Sequence, residues 1–501
     1  MPNKKRNRIL FDVSLVLMLT LPFALVYKWL DNDVWFIINH GRYLVQNGLF
    51  NGAFVSIEPF TVHEGLAFSF EKWLSCLIFY LVYRSFGEVG IKAMVYIMAL
   101  IIEFLFYRIS LYVSDNNRPI AALFTLMICS MFFLLFLVSR PQIFSYAILL
   151  VEFYILEQYA KSDKNRLYLL PLLSLAYMQL HSTMWLMFFI AFLPYLFELK
   201  IVSDRLKLPC RSYERRPLII WMLISFLAGF INPYGSRSVF YIFGSAGVKD
   251  YGAIAELMPP EIGQFLFMNA FIIVAFVIYV IRKKKERIPL RYIWFFAGTL
   301  FMSIYAIRNT AYFLLYAGII CSAMYKDIKI IFKEKQIKAF VCIGFIILCF
   351  NVYKLSLEDP VKEMTPPAYE AFLKLEEETG SEYEQCREYK VYTDFNCGAY
   401  AEFLGYRAYI DPRAEVFMKE VNGKQDIMCE YIDTEKGYIS PKTLQMRYGF
   451  DYWLVRSEAK PVAESLENDE KFALLYSDEQ YRLYSTNAKS KKGCKESHIL
   501  S

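Results

Sequence analysis

Charge is scarce in this 501-residue chain. Only 21% of its residues are Asp, Glu, Lys or Arg, against 56% hydrophobic by a count that omits Gly. A soluble globular chain is about 45–50% apolar even with Gly included. The shortage argues against a soluble enzyme and, with 18% aromatics, against disorder. Signature loops are missing as well. There is no GxGxxG, no GxxxxGK[ST] and no GxSxG, which argues against nucleotide binding through those loops and against an α/β-hydrolase. The four histidines and ten cysteines include no CxxC and no Cys/His metal spacing, so no metal site of the zinc type is expected. No nucleic-acid module and no internal repeat is visible, and no nucleic-acid partner is expected.

The charge that exists is unevenly placed. Residues 1–355 hold about 36 Lys/Arg and 21 Asp/Glu; residues 356–501 hold about 19 and 28. The overall +6 thus hides a cationic apolar part and an acidic polar part. Apolar runs long enough, or nearly so, to cross a bilayer fall at 9–29, 73–86, 89–110, 142–160, 182–198, 264–282, 290–307, 311–325 and 339–355. Weaker runs lie at 120–138, 168–180 and 218–231. The first run follows a basic flank, contains Asp12 and lacks a small-residue cleavage site, so it reads as an uncleaved helix with a cytoplasmic N-terminus. Basic loops at 161–166, 205–216, 282–287 and 326–338 fit the same side, which leaves the C-terminal part outside. To keep the parity, 120–138 is read as a re-entrant or broken pair of short helices with Arg140 returned to the outer face. The expected fold is mainly α: a polytopic bundle of about eleven crossings over 1–355, with 30–72 as a first external loop carrying amphipathic helices. A small extracytoplasmic α/β domain over 356–487 and a flexible tail over 488–501 follow. In that domain strands are expected at 390–392, 407–410, 452–455, 473–476 and 481–484, with helices at 368–378, 442–447 and 462–467. Four cysteines, Cys386, Cys397, Cys429 and Cys494, leave room for one disulfide there.

Chemistry is best placed in the first loop, Asp31-Asn32-Asp33-Val34-Trp35. Two carboxylates at i and i+2 beside a membrane face suit a general base on an acceptor hydroxyl, or a divalent cation that neutralises a phosphate. They equally suit the cap of the helix that follows. Glu103, Glu152 and Asp12 sit in apolar runs, where acids are costly and often functional, yet each lies near enough to a helix end to reach polar surroundings.

Further on come Glu58-Pro59-Phe60-Thr61, Trp73-Leu74, Arg140-Pro141-Gln142, Leu180-His181-Ser182, Asn232-Pro233-Tyr234-Gly235, Ala255-Glu256-Leu257-Met258-Pro259 and Arg308-Asn309. The stretch 391–400 and Asp411-Pro412-Arg413 close the series. In this order the chain resembles the GT-C membrane glycosyltransferases, and within them an uncharacterised bacterial branch. It departs from that branch at Ile37, where a histidine is usual, at Lys72, and at Leu257. The resemblance implies a polyprenyl-phosphate sugar donor, an extracytoplasmic glycan or protein acceptor, and a plasma-membrane location. Asp33, then Asp31, would be the base, and Glu256 a second active-site carboxylate. Arg140, His181, Arg308 and Trp35 would bind the donor, with Arg42 and Arg237 behind them. No cofactor is demanded, although a divalent cation is compatible. A flippase or transporter of lipid-linked sugars, or a membrane scaffold or sensor working through residues 356–501, are the rival readings.

Overall fold

A computed structural model describes residues 12, 15, 30–49, 52–162, 165–198, 213–245, 254–282, 288–328 and 366–486. The expected first and last crossings (apart from Asp12 and Leu15), the tail and Cys494 lie outside them. The chain is mainly helical with one small sheet. It divides into two compact units: Met1–Lys28, Glu88–Tyr241 and Gly252–Pro360 form one, and Trp29–Gly87, Ile242–Tyr251 and Val361–Ser501 the other.

In the helical unit, Arg118–Phe136, Gln142–Ser162 and Ile262–Arg282 are each long and apolar enough to cross a bilayer, as is Trp73–Val113, which leads into it from Gly87. The bent pair Leu167–Met184 and Leu186–Leu196, which turns by 111°, makes a fifth span if counted as one. The expected re-entrant break is therefore in the wrong place. Residues 118–136 form one helix, begun by Asn117, whose side chain accepts from the Ile120 N–H, and by Pro119 near its first position. No Gly or Pro follows to break it. The bend comes instead after His181, which leaves helical geometry at φ −159° and ψ 69°.

All fifteen residues of Thr310–Met324 are buried. Leu290–Tyr305, Arg118–Phe136 and Ile262–Arg282 surround it, and Gly318 lets Ile128 and Phe106 approach closely. By contrast, Ile262–Arg282 exposes Leu266, Phe267, Val274 and Ile281. A broad exposed apolar face of this kind suits lipid better than water. Arg291 is buried between Glu157 and Glu198, at 2.8 and 3.0 Å. Tyr195 and Tyr292 donate to Glu157, and Tyr213 to Glu198, so the remaining carboxylate lone pairs are met and the desolvation of the charges is offset.

The second unit is α/β. Strands β1 (Lys390–Tyr392), β2 (Arg407–Ala408), β3 (Tyr452–Arg456), β4 (Phe472–Ser477) and β5 (Tyr481–Thr486) lie in the order β2-β1-β3-β5-β4. β1 is parallel to β2 and β3; β5 is antiparallel to β3 and β4. Alternation along β3 sends Tyr452 and Leu454 to a core with Phe372, Leu375 and Leu483. Trp453 goes to the opposite face, where it stacks on Tyr392 at 4.5 Å. Cys386, Cys397 and Cys429 are free thiols, so no disulfide joins them.

The first-loop residues build into this unit. Thr61 bridges Ala408 in parallel, and the Val62 N–H donates to the Ala408 carbonyl at 2.9 Å, beside the sheet's outer strand. Helix Asp33–Gln46 buries nine residues, Val34 to Gly41 and Leu44. It packs on helix Gly398–Leu404. A Cβ at Gly41 would collide with the Cys76 carbonyl, and one at Gly398 with the Ile410 carbonyl; both contacts demand glycine.

Candidate functional site

Helix ends in the helical unit gather most of the expected donor-binding residues. Arg140, just before helix Gln142–Ser162, donates through Nη1 to both Glu256 oxygens at 3.1 and 3.2 Å. Glu256 lies on the short turn Ala255–Leu257, and Arg308 on the turn Ile307–Asn309. The Ile307 N–H donates to the Met258 carbonyl at 3.0 Å, which ties the two turns together. Tyr146 lies within electrostatic reach of Arg140, Glu256, Arg308 and Tyr312. One residue before it, Ser145 shares a 2.7 Å hydrogen bond with His181 Nδ1. The structure thus brings Arg140, Glu256 and Arg308 together, with His181 joined to the adjoining turn of the same helix.

The Arg140–Glu256 pair is half-open, with side-chain exposures of 21% and 38%. Arg308 is exposed and has no ion pair among the described residues. Such an assembly can offer two guanidinium groups and a carboxylate to a ligand carrying phosphate and hydroxyls. Asn232 is spent on its own turn, where its amide donates to the Gly229 and Gly235 carbonyls.

The first-loop candidates belong to the α/β unit. Asp31 Oδ1 accepts the Asp33 N–H at 3.0 Å, and Asp33 opens the first turn of helix Asp33–Gln46. Both are partly exposed. A carboxylate here is also favoured by the helix N-terminus. Trp35 is buried against Tyr400 and Phe403, with ring centres at 5.0 and 4.8 Å; its faces are used in packing. Arg42 donates to the Phe403 carbonyl and lies over the Tyr383 and Phe403 rings.

Sequence reasoning missed a buried charge cluster. Arg413 donates to Asp411, to Glu402 at 2.9 Å and to Glu58 at 3.1 Å. Its Nη1 also donates to His40 Nε2 at 3.1 Å. Glu58 accepts the Phe60 and Thr61 N–H groups and the Thr61 hydroxyl. Burial pushes the His40 imidazole well below its ordinary value, helped by the charges of Arg413 and Lys72, so the ring is neutral and can accept. Burial likewise pushes the Glu402 carboxyl well up, against the pull of Arg413, with Asp411 and Glu58 adding to the rise. Burial disfavours the charge of Arg413, but its three carboxylates outweigh that and raise it. Each half of the cluster was visible as a short motif, Glu58-Pro59-Phe60-Thr61 and Asp411-Pro412-Arg413. Nothing in the sequence joined them.

No group of three or more His, Cys, Asp or Glu side chains arranged to hold a metal occurs among the described residues. Compared with known proteins, the chain matches no family model and no curated sequence.

Proposed function

We propose that the chain is an integral membrane glycosyltransferase of the GT-C type. It moves a sugar from a polyprenyl-phosphate donor to an extracytoplasmic glycan or protein acceptor in the plasma membrane, with a cytoplasmic N-terminus and the α/β unit outside. Asp33 is the base, with Asp31 second. It takes the acceptor proton as the oxygen attacks the anomeric carbon, and the lipid phosphate leaves with inversion at that carbon. Arg140 and Arg308 stabilise the departing phosphate. His181 positions the donor, and Glu256 holds Arg140 until phosphate displaces it.

The observation that carries this reading is the convergence of Arg140, Glu256 and Arg308 from separate chain segments. They meet on a helical body whose outer faces are apolar. An open two-arginine cluster at the ends of apolar helices is where a lipid-borne phosphate would be met. The test is transfer from a defined polyprenyl-phosphate sugar in membranes carrying wild type or Asp33→Asn. Loss of transfer with normal membrane content supports the base assignment; full activity in the variant overturns it. No transfer by wild type with any donor overturns the enzyme reading and favours a carrier or a scaffold.

A further inference from the structure

The α/β unit contains a cationic cleft that the transferase reading leaves unused. One cavity of about 490 Å³ is lined by His63, Glu64, Lys390, Lys424, Arg447 and Tyr448 among others. A second, of about 390 Å³, shares His63 and Glu64 and adds Arg387 and Arg407. Both volumes fall in the usual range of small-molecule sites.

Four of these cations lack a carboxylate partner among the described residues. Lys390 Nζ donates to the Tyr448 carbonyl at 3.1 Å, and Lys424 Nζ to the Glu64 carbonyl at 2.9 Å. Arg407 and Arg387 likewise donate to the Thr61 and Pro59 carbonyls. Arg447 is paired with Glu430. Against them stand Glu64, which is exposed, and Glu58, which is consumed by Arg413. The cleft is thus positive within a region, residues 356–501, that is acidic overall. Unpaired cations held this close repel one another unless an anion joins them.

A second observation narrows the anion. His63 is buried, and its Nε2 donates to the Tyr409 carbonyl at 2.7 Å. Its Nδ1 is buried with no hydrogen-bond partner. Burial lowers the imidazole to about 4, so at neutral pH that nitrogen is a lone-pair acceptor awaiting a donor. An inorganic anion without an O–H, such as sulfate, satisfies the cations but not His63. A hydroxylated anion satisfies both, and the half-buried Tyr448 ring lines the same cavity.

We propose that this cleft binds an acidic saccharide, with Lys390, Lys424, Arg387 and Arg407 holding its carboxylate or phosphate and His63 accepting from a ring hydroxyl. Only the saccharide's role, as the acceptor presented for transfer, rests on the glycosyltransferase reading; the binding does not.

The test is calorimetric titration of the full chain in phosphatidylcholine nanodiscs. The probes are trigalacturonate, the neutral trisaccharide maltotriose and inorganic sulfate. Trigalacturonate should bind, weaken with added salt, and lose about tenfold or more in affinity in Lys390→Gln/Lys424→Gln. Both side chains reach the cleft surface, so a folded variant is expected, and its thermal transition should match wild type. Maltotriose binding equally well, sulfate binding as tightly as trigalacturonate, or undiminished binding in the double variant would each overturn the proposal. So would loss of trigalacturonate binding when phosphatidylglycerol is added to the nanodiscs, which would assign the cleft to lipid headgroups. Asp33→Asn should bind trigalacturonate as wild type does. A protein that binds but never transfers retains this site and loses the transferase reading; one that transfers but does not bind does the reverse.

Discussion

Arg140 in the helical unit pairs with Glu256 and keeps 21% of its side chain exposed; Arg413 in the α/β unit meets three carboxylates and keeps 4%. The first can exchange its partner for a ligand at little cost. The second cannot, because its removal leaves carboxylates in the dark with nothing to neutralise them. Charge alone did not separate the two in the sequence, where both appear beside a proline. Exposure separates them, and it sorts residues that can meet substrate from residues that hold the unit in shape.

The contrast can be broken most directly at Arg413. Arg413→Met should cost about 3–5 kcal/mol, read as urea unfolding of the full chain in detergent micelles. A loss below about 1 kcal/mol would place both arginines in one class. His63 sharpens the burial side of the contrast through pH. The folded imidazole titrates at about 4 against an ordinary 6.5, so between those values the unfolded chain binds a proton that the folded chain refuses. Stability should therefore fall as pH drops from 6.5 to 4 and level off below, a loss of about 3 kcal/mol. His40 contributes in the same direction. The difference between wild type and His63→Gln across that window isolates the His63 part, and parallel pH profiles would refute it.

Smaller effects follow. Gly41→Ala should cost about 1–3 kcal/mol by forcing its helix away from the Cys76 carbonyl, measured in the same unfolding assay. Least of all should stability respond to Arg140→Gln, by under about 1 kcal/mol for a half-exposed pair. In the same variant, transfer should drop by about 10²-fold or more if Arg140 stabilises the leaving phosphate. Unchanged transfer would make the Arg140–Glu256 pair an anchor of helix ends only.

Legibility followed range along the chain. Hydropathy was enough for the helices 142–162 and 262–282, because a bilayer-length apolar run needs only its own residues. The five strands were visible from local alternation and turn residues, although β2 is shorter than expected. The runs 168–180 and 182–198 placed the break at His181, but not its sharp angle, which depends on packing: Trp185 donates to Ser174 and lies against Gly229. Helix 33–46 also misled. It was expected as an amphipathic helix of the first loop with Trp35 binding the donor, whereas Trp35 and His40 are buried in contacts with Tyr400 and Arg413, far along the chain. The Arg140–Glu256 pair spans 116 positions, and only the resemblance put both residues among the candidates. The His63 cleft had no motif at all.

The bridge between Thr61 and Ala408 has a consequence for biosynthesis. Glu58 and Arg413 are 355 positions apart, and chains grow at about 5–20 residues per second, so the early half of this fold is made roughly 18–70 s before the late half. Through that interval residues 58–67 have neither a strand to lie beside nor an arginine to neutralise Glu58. The late half made alone would lack its neighbour at β2 and leave Arg413 without Glu58 and His40. The sheet of the α/β unit and the segment beside its outer strand are therefore made in separate instalments, residues 29–87 early and 361–501 late. A truncated copy beginning near residue 361 should aggregate through its bare sheet edge, and supplying residues 29–87 as a separate peptide is the natural way to rescue it.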